Sequence, residues 1–77
     1  MKYVIEYGCM YWCGEAFGDN KLYCKWYNSK IEATIDIDKV KSLVDLFGER
    51  GGVKIVEFSP TNKDIEQRYM FFNGVVQ

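Results

Sequence analysis

The stretch Asp36-Ile37-Asp38-Lys39-Val40-Lys41-Ser42-Leu43-Val44-Asp45-Leu46-Phe47-Gly48 decides the fold. Val40, Leu43, Val44 and Phe47 recur at the spacing of one helical face, with Lys39, Lys41, Ser42 and Asp45 on the opposite side. Asp36 or Asp38 supplies a side-chain oxygen suited to the N-cap. Gly48, followed by Gly51-Gly52, supplies the stop. The stretch therefore predicts a helix whose apolar face must be buried against something else.

That partner is a sheet, because the flanking sequence alternates. Upstream, Ile31, Ala33, Ile35 and Ile37 fall at every second position and predict a strand over about residues 30–36. At Asn28-Ser29-Lys30 the apolar parity switches from the even numbers of Leu22, Cys24 and Trp26 to these odd ones, which places a turn or bulge there. Further upstream, residues 2–13 alternate as one long strand with a bulge or bend at Gly8 or Gly14. Gly18-Asp19-Asn20-Lys21 makes a turn, and Leu22-Tyr23-Cys24-Lys25-Trp26-Tyr27 returns as the second arm of a hairpin. Either two-residue loop, Gly18-Asp19 or Asp19-Asn20, puts Tyr11, Cys13, Phe17, Leu22, Cys24 and Trp26 on one face. Met10, Trp12, Ala16, Tyr23, Lys25 and Tyr27 occupy the other.

Downstream, Val53-Lys54-Ile55-Val56-Glu57-Phe58 is rich in β-branched residues and reads as a fourth strand. Gln67-Arg68-Tyr69-Met70-Phe71-Phe72, closed by Asn73-Gly74, reads as a fifth. A helix competes for that last segment, since Ser59-Pro60 is a good start and Ile65, Tyr69 and Phe72 stand at helical spacing. The order β-β-β-α-β-β predicts one compact α+β domain over residues 1–77. In it an antiparallel sheet of about five strands packs one face on a single helix and leaves the other bare.

Composition narrows the function. Ten Lys and Arg against eleven Asp and Glu give a net charge of −1, which disfavours both a polybasic nucleic-acid or membrane binder and an acidic DNA mimic. The start Met1-Lys2-Tyr3-Val4-Ile5-Glu6-Tyr7 lacks the unbroken apolar run of a signal peptide, and no run approaches a membrane span. A cytoplasmic protein is the expectation. Cys9, Cys13 and Cys24 are an odd set without a secretion signal, which argues for reduced thiols. Zinc would need Glu15 or Asp19 as a fourth ligand, in a spacing without paired knuckles, so no metal or other cofactor is expected.

Histidine is absent, which removes Ser/His/Asp and Cys/His nucleophilic chemistry. No dinucleotide, Walker, HExxH or EF-hand spacing occurs, and Gly48-Glu49-Arg50-Gly51-Gly52 lacks a following helix to hold a phosphate. Asp36 and Asp38 read as N-cap and first-turn residues, and Glu15 as a residue at the frayed sheet end or paired with a Lys, so no catalytic residue is assigned and an enzyme is not expected. No motif ties the chain to a family. In general profile it is similar to the small, motif-free inhibitors with which phages and mobile elements block host machinery, anti-CRISPR proteins among them. That resemblance, which covers size, compactness and lack of catalytic residues, implies action by binding.

The aromatic share of 17% points the same way, because Tyr, Trp and Arg dominate interface hot spots. The expected function is a protein-binding module that masks or bridges a partner surface. The expected site is the outer hairpin face of Trp12, Tyr23, Lys25 and Tyr27 with Met10 beside them, Trp12 and Tyr27 being the anchors. A single-stranded nucleic-acid or base-containing-ligand binder, using sheet aromatics with Lys21, Lys25 and Lys30, is the alternative. A homodimer or structural subunit is the remaining class.

Overall fold

Gly8 sets the topology. The computed structural model describes residues 1–46 and 52–74, and in it Gly8 has φ +63°, a left-handed conformation that favours glycine. The chain therefore reverses at Gly8-Cys9 instead of running on to residue 13. β1 (Lys2–Tyr7) and β2 (Met10–Trp12) form a hairpin in which Tyr7 pairs with Met10 and Glu6 with Tyr11. A short β3 (Phe17–Gly18) pairs with β2 through Trp12–Phe17 and Tyr11–Gly18. β4 (Val53–Phe58) runs antiparallel to β1 along its whole length, from Lys2–Phe58 to Tyr7–Val53. Among the described residues the result is an α+β fold with a four-stranded antiparallel sheet in the order β3-β2-β1-β4 and two α-helices.

Three expected strands are not formed. Residues 22–27 are not a hairpin arm: Asn20 accepts a hydrogen bond from the Leu22 N–H at 2.9 Å and caps a 3₁₀ turn over Lys21–Tyr23. Two residues of that segment bond to the sheet: the Lys25 N–H donates to the Trp12 carbonyl at 3.1 Å, and Tyr27 exchanges backbone hydrogen bonds of 3.0 and 2.8 Å with Tyr3. Residues 30–36 are helical, in α1 (Lys30–Val44). Ser29, not Asp36 or Asp38, is its N-cap and accepts from the Glu32 N–H at 3.2 Å. Residues 62–72 are α2 (Asn62–Phe72), where Thr61 and Asp64 cap each other reciprocally at 3.1 Å.

α1 lies across β1 and β4. Its buried residues are Ala33, Ile37, Val40 and Val44, and they meet Ile5, Trp12, Tyr27 and Val53 in the core. Ile31 and Ile35 point to solvent, so the alternating isoleucines conceal a helical stripe through Ala33 and Ile37. Leu43, expected in the core, is 37% exposed. Phe47, Gly48 and Gly51, read as core residue and helix stop, lie outside the described residues.

The sheet is not bare behind. Strand alternation aims Val4 away from Ile5, yet both are fully buried. On that reverse side Trp26 meets Phe58 edge to face at 5.3 Å, and α2 lies against the 3₁₀ turn. The expectation of about five strands on one helix with an uncovered face is thereby corrected. No helix among the described residues is long and apolar enough to cross a membrane.

Candidate protein-docking groove

The five residues assigned to a binding face from the sequence do not form one. Trp12 and Tyr27 are 3% and 4% exposed, inside the core beneath α1. The reason is the early reversal at Gly8: it makes Trp12 the cross-strand partner of Phe17, with their rings 5.3 Å apart on the helix side. Met10 is half-buried opposite Tyr7 at the end of the hairpin. Tyr23 is stacked on Phe71 of α2 at 4.1 Å, and its hydroxyl accepts from Gln67 at 3.3 Å.

Lys25 and Tyr27 do come together, on Asp36. The Tyr27 hydroxyl donates to the Asp36 carboxylate at 2.7 Å and the Lys25 ammonium reaches the same oxygen at 3.0 Å. These two hydrogen bonds, that of Tyr27 first, hold the Asp36 carboxyl below its ordinary range. Burial, reinforced by Asp36, raises the Tyr27 phenol. Both groups thus keep their ordinary neutral-pH forms, and the cluster clamps residues 25–27 to α1 rather than exchanging protons.

The thiols lie in different surroundings. All three cysteines are free, Cys9 and Cys13 exposed and Cys24 buried. Burial, with Cys13 nearby, pushes the Cys24 thiol up to about 11, and its Sγ donates to the Lys21 carbonyl at 3.1 Å. Among the described residues no three Cys, Asp or Glu side chains are gathered as metal ligands.

The prominent surface is on α2. With eleven residues, this helix is too short to be stable alone, so it needs tertiary support. The support is concentrated in Arg68. Its Nη1 donates to the Leu22 and Cys24 carbonyls at 2.9 and 2.6 Å, and its guanidinium lies 4.1 Å from the Trp26 ring centre and 4.7 Å from that of Phe72. Trp26 is fixed in turn by its indole N–H, which donates to the Lys21 carbonyl at 2.9 Å. Burial lowers the pKa of Arg68.

Held by this side chain, the Tyr23–Phe71 stack and the Gln67–Tyr23 hydrogen bond, α2 leaves its apolar residues in solvent. Ile65, Tyr69, Met70, Phe71 and Phe72 are all exposed, Tyr69 to 63%. Ile65, Arg68, Tyr69 and Phe72 share one side of the helix and, with Trp26 and Lys2, line a groove of about 360 Å³. A second hollow, beside Ile35, is lined by Lys25, Glu32 and Asp36, and its floor is the ion pair already described.

Sequence reasoning missed this groove because it read residues 67–72 as a strand. The available signal was Thr61-x-x-Asp64 ahead of Ile65, Tyr69 and Phe72, a capping box followed by helical spacing. No protein-family model, curated protein or solved structure matches the chain.

Proposed function

We propose that this chain is a non-enzymatic binding module that masks or bridges the surface of a partner protein, docking through α2 and Trp26. The observation that carries this reading is the exposure of Ile65, Tyr69, Met70, Phe71 and Phe72 on a helix with no fully buried residue. Of these, Ile65, Tyr69 and Phe72 share one side with Trp26, and an apolar patch of that kind is rarely left in water by a protein that works alone. Its composition supports the reading as well. Trp26, Arg68 and Tyr69 belong to the residue types that dominate interface energetics, and Trp26 and Arg68 are already fixed by stacking and hydrogen bonds.

The reading is tested by site-specific photocrosslinking. A photoreactive phenylalanine at position 72 should give discrete adducts with a second protein in the cells that make this chain. The same group at position 35, exposed on α1, should not. Adducts from position 35 alone would move the interface to α1 and overturn the assignment.

A further inference from the structure

We infer that the occupant of the α2 groove is an acidic, apolar segment of a different protein, not a second copy of this chain. The inference rests on the docking reading above and comes from the charges at the groove. Among the described residues its lining holds two cations, Lys2 and Arg68, and no carboxylate. Each cation is spent on neutral groups: the Lys2 ammonium donates to the Asn28 side-chain oxygen, and Arg68 Nη1 donates to two backbone carbonyls. Among the described residues neither has an ion-pair partner, although Lys25 and Lys54 both do, on Asp36 and Glu6.

Arg68 uses Nη1 for its carbonyl bonds, while a guanidinium carries five N–H donors in a planar fork. Donors therefore remain on Nε and Nη2 for a carboxylate approaching over Trp26 and Phe72. Such a carboxylate would meet positive charge on an apolar floor, where screening by water is weaker than at an open surface. The complementary ligand is a large apolar side chain with an Asp or Glu close by, as on an acidic amphipathic segment.

The same charges disfavour the other occupants. A two-fold dimer through this patch gathers Lys2 and Arg68 of both copies into one interface, and like charges brought together across an interface are costly. A nucleic-acid strand would find aromatic rings to stack on. Among the described residues it would find only two cations in the groove for its phosphates, on a chain of net charge −1.

The experiment is selection of a phage-displayed random dodecapeptide library against the full chain. Amide and Trp26 indole chemical shifts locate each synthetic winner on the protein. The expected winners carry Phe, Leu or Trp with Asp or Glu within a few residues, and they shift residues 62–72. Changing their carboxylates to the corresponding amides should weaken binding about tenfold, and Lys2→Ala in the protein should weaken it in the same direction. Because the peptide is altered in the first comparison, no loss of protein folding can imitate the result.

Winners on α2 that are neutral or basic, or insensitive to the amide change, overturn the inference and leave the docking reading standing. So does a micromolar dimer in sedimentation equilibrium that Phe72→Ser dissolves, or displacement of the peptide by single-stranded oligonucleotides. Winners that all bind away from α2 overturn the docking reading itself.

Discussion

The guanidinium of Arg68 lies 4.1 Å from the centre of the Trp26 ring, and through that stack α2 is fastened to the rest of the chain. The two Nη1 hydrogen bonds to Leu22 and Cys24 act in the same place, so one side chain joins the helix to both the 3₁₀ turn and the segment after it. A stack of this kind contributes roughly 0.5–2 kcal/mol and each hydrogen bond from a charged donor about 1.5–3 kcal/mol before solvent screening. Arg68→Ala should therefore free α2 while the sheet and α1 stay folded. Hydrogen exchange should show loss of protection across residues 62–72 and little change in β1 and β4. Arg68→Lys should restore only part of it, because an ammonium cannot stack as a plane while donating as a fork. Uniform loss across the whole chain would contradict this division.

Burial of Trp12 and Tyr27 reverses what an exposed face would predict. Trp12→Ala removes a core side chain and should cost about 3–5 kcal/mol, close to the entire stability of a fold this small. Leu43→Ala, on the exposed side of α1, should cost well under half as much. Thermal unfolding of the two variants decides between the faces.

Acid should weaken the clamp at Asp36. Its folded pKa is depressed relative to an unfolded value of about 3.9, so its contribution is fully present above that pH and is lost as pH falls through the folded value. Tyr27→Phe keeps the ring and removes the hydroxyl that is the main cause. At pH 7 it should cost about 1 kcal/mol, below the usual range for a charged hydrogen bond because Asp36 is partly exposed, and it should flatten the acid limb. Tyr27 itself acts at the other end of the scale. Its raised folded pKa means stability is lost as pH rises above about 10, and Tyr27→Phe should remove that loss too. Chemical denaturation at a series of pH values gives both limbs.

Thiol reactivity should rank with exposure. Disulfide-exchange labelling at pH 8 should modify Cys9 rapidly and Cys24 only as fast as the chain opens, since Cys24 is buried with its thiol pushed up to about 11. Fast native-state labelling of Cys24 would mean that the segment under α2 is open in solution.

What was legible in the sequence follows the length and type of each signal. β4 is legible because Val53, Ile55 and Val56 are β-branched and the run is bounded on both sides, and α1 is legible in its second half, where Val40 and Val44 keep helical spacing. Its first half was lost to Ile31 and Ile35, whose alternation with Ala33 and Ile37 imitates a strand although both face water. There the decisive feature was the cap: Ser29, three residues before Glu32. Gly8 reads as an irregularity, but a bulge and a reversal are the same letter in sequence, and the difference moves Trp12 from one face to the other. The groove was illegible for a further reason. It unites Lys2, Trp26 and Arg68, residues far apart in the chain that no local periodicity connects.

The central claim, that partner binding runs through α2, is tested most directly by comparing Phe72→Ser with Ile35→Ser. Each variant removes one large exposed apolar side chain, and neither disturbs a buried one. Both should melt close to the parent chain. In titrations against the protein captured from position 72, Phe72→Ser should lower affinity at least tenfold, a loss of about 1.4 kcal/mol or more, and Ile35→Ser should leave it unchanged. Unchanged affinity in Phe72→Ser, or a loss confined to Ile35→Ser, would contradict the account.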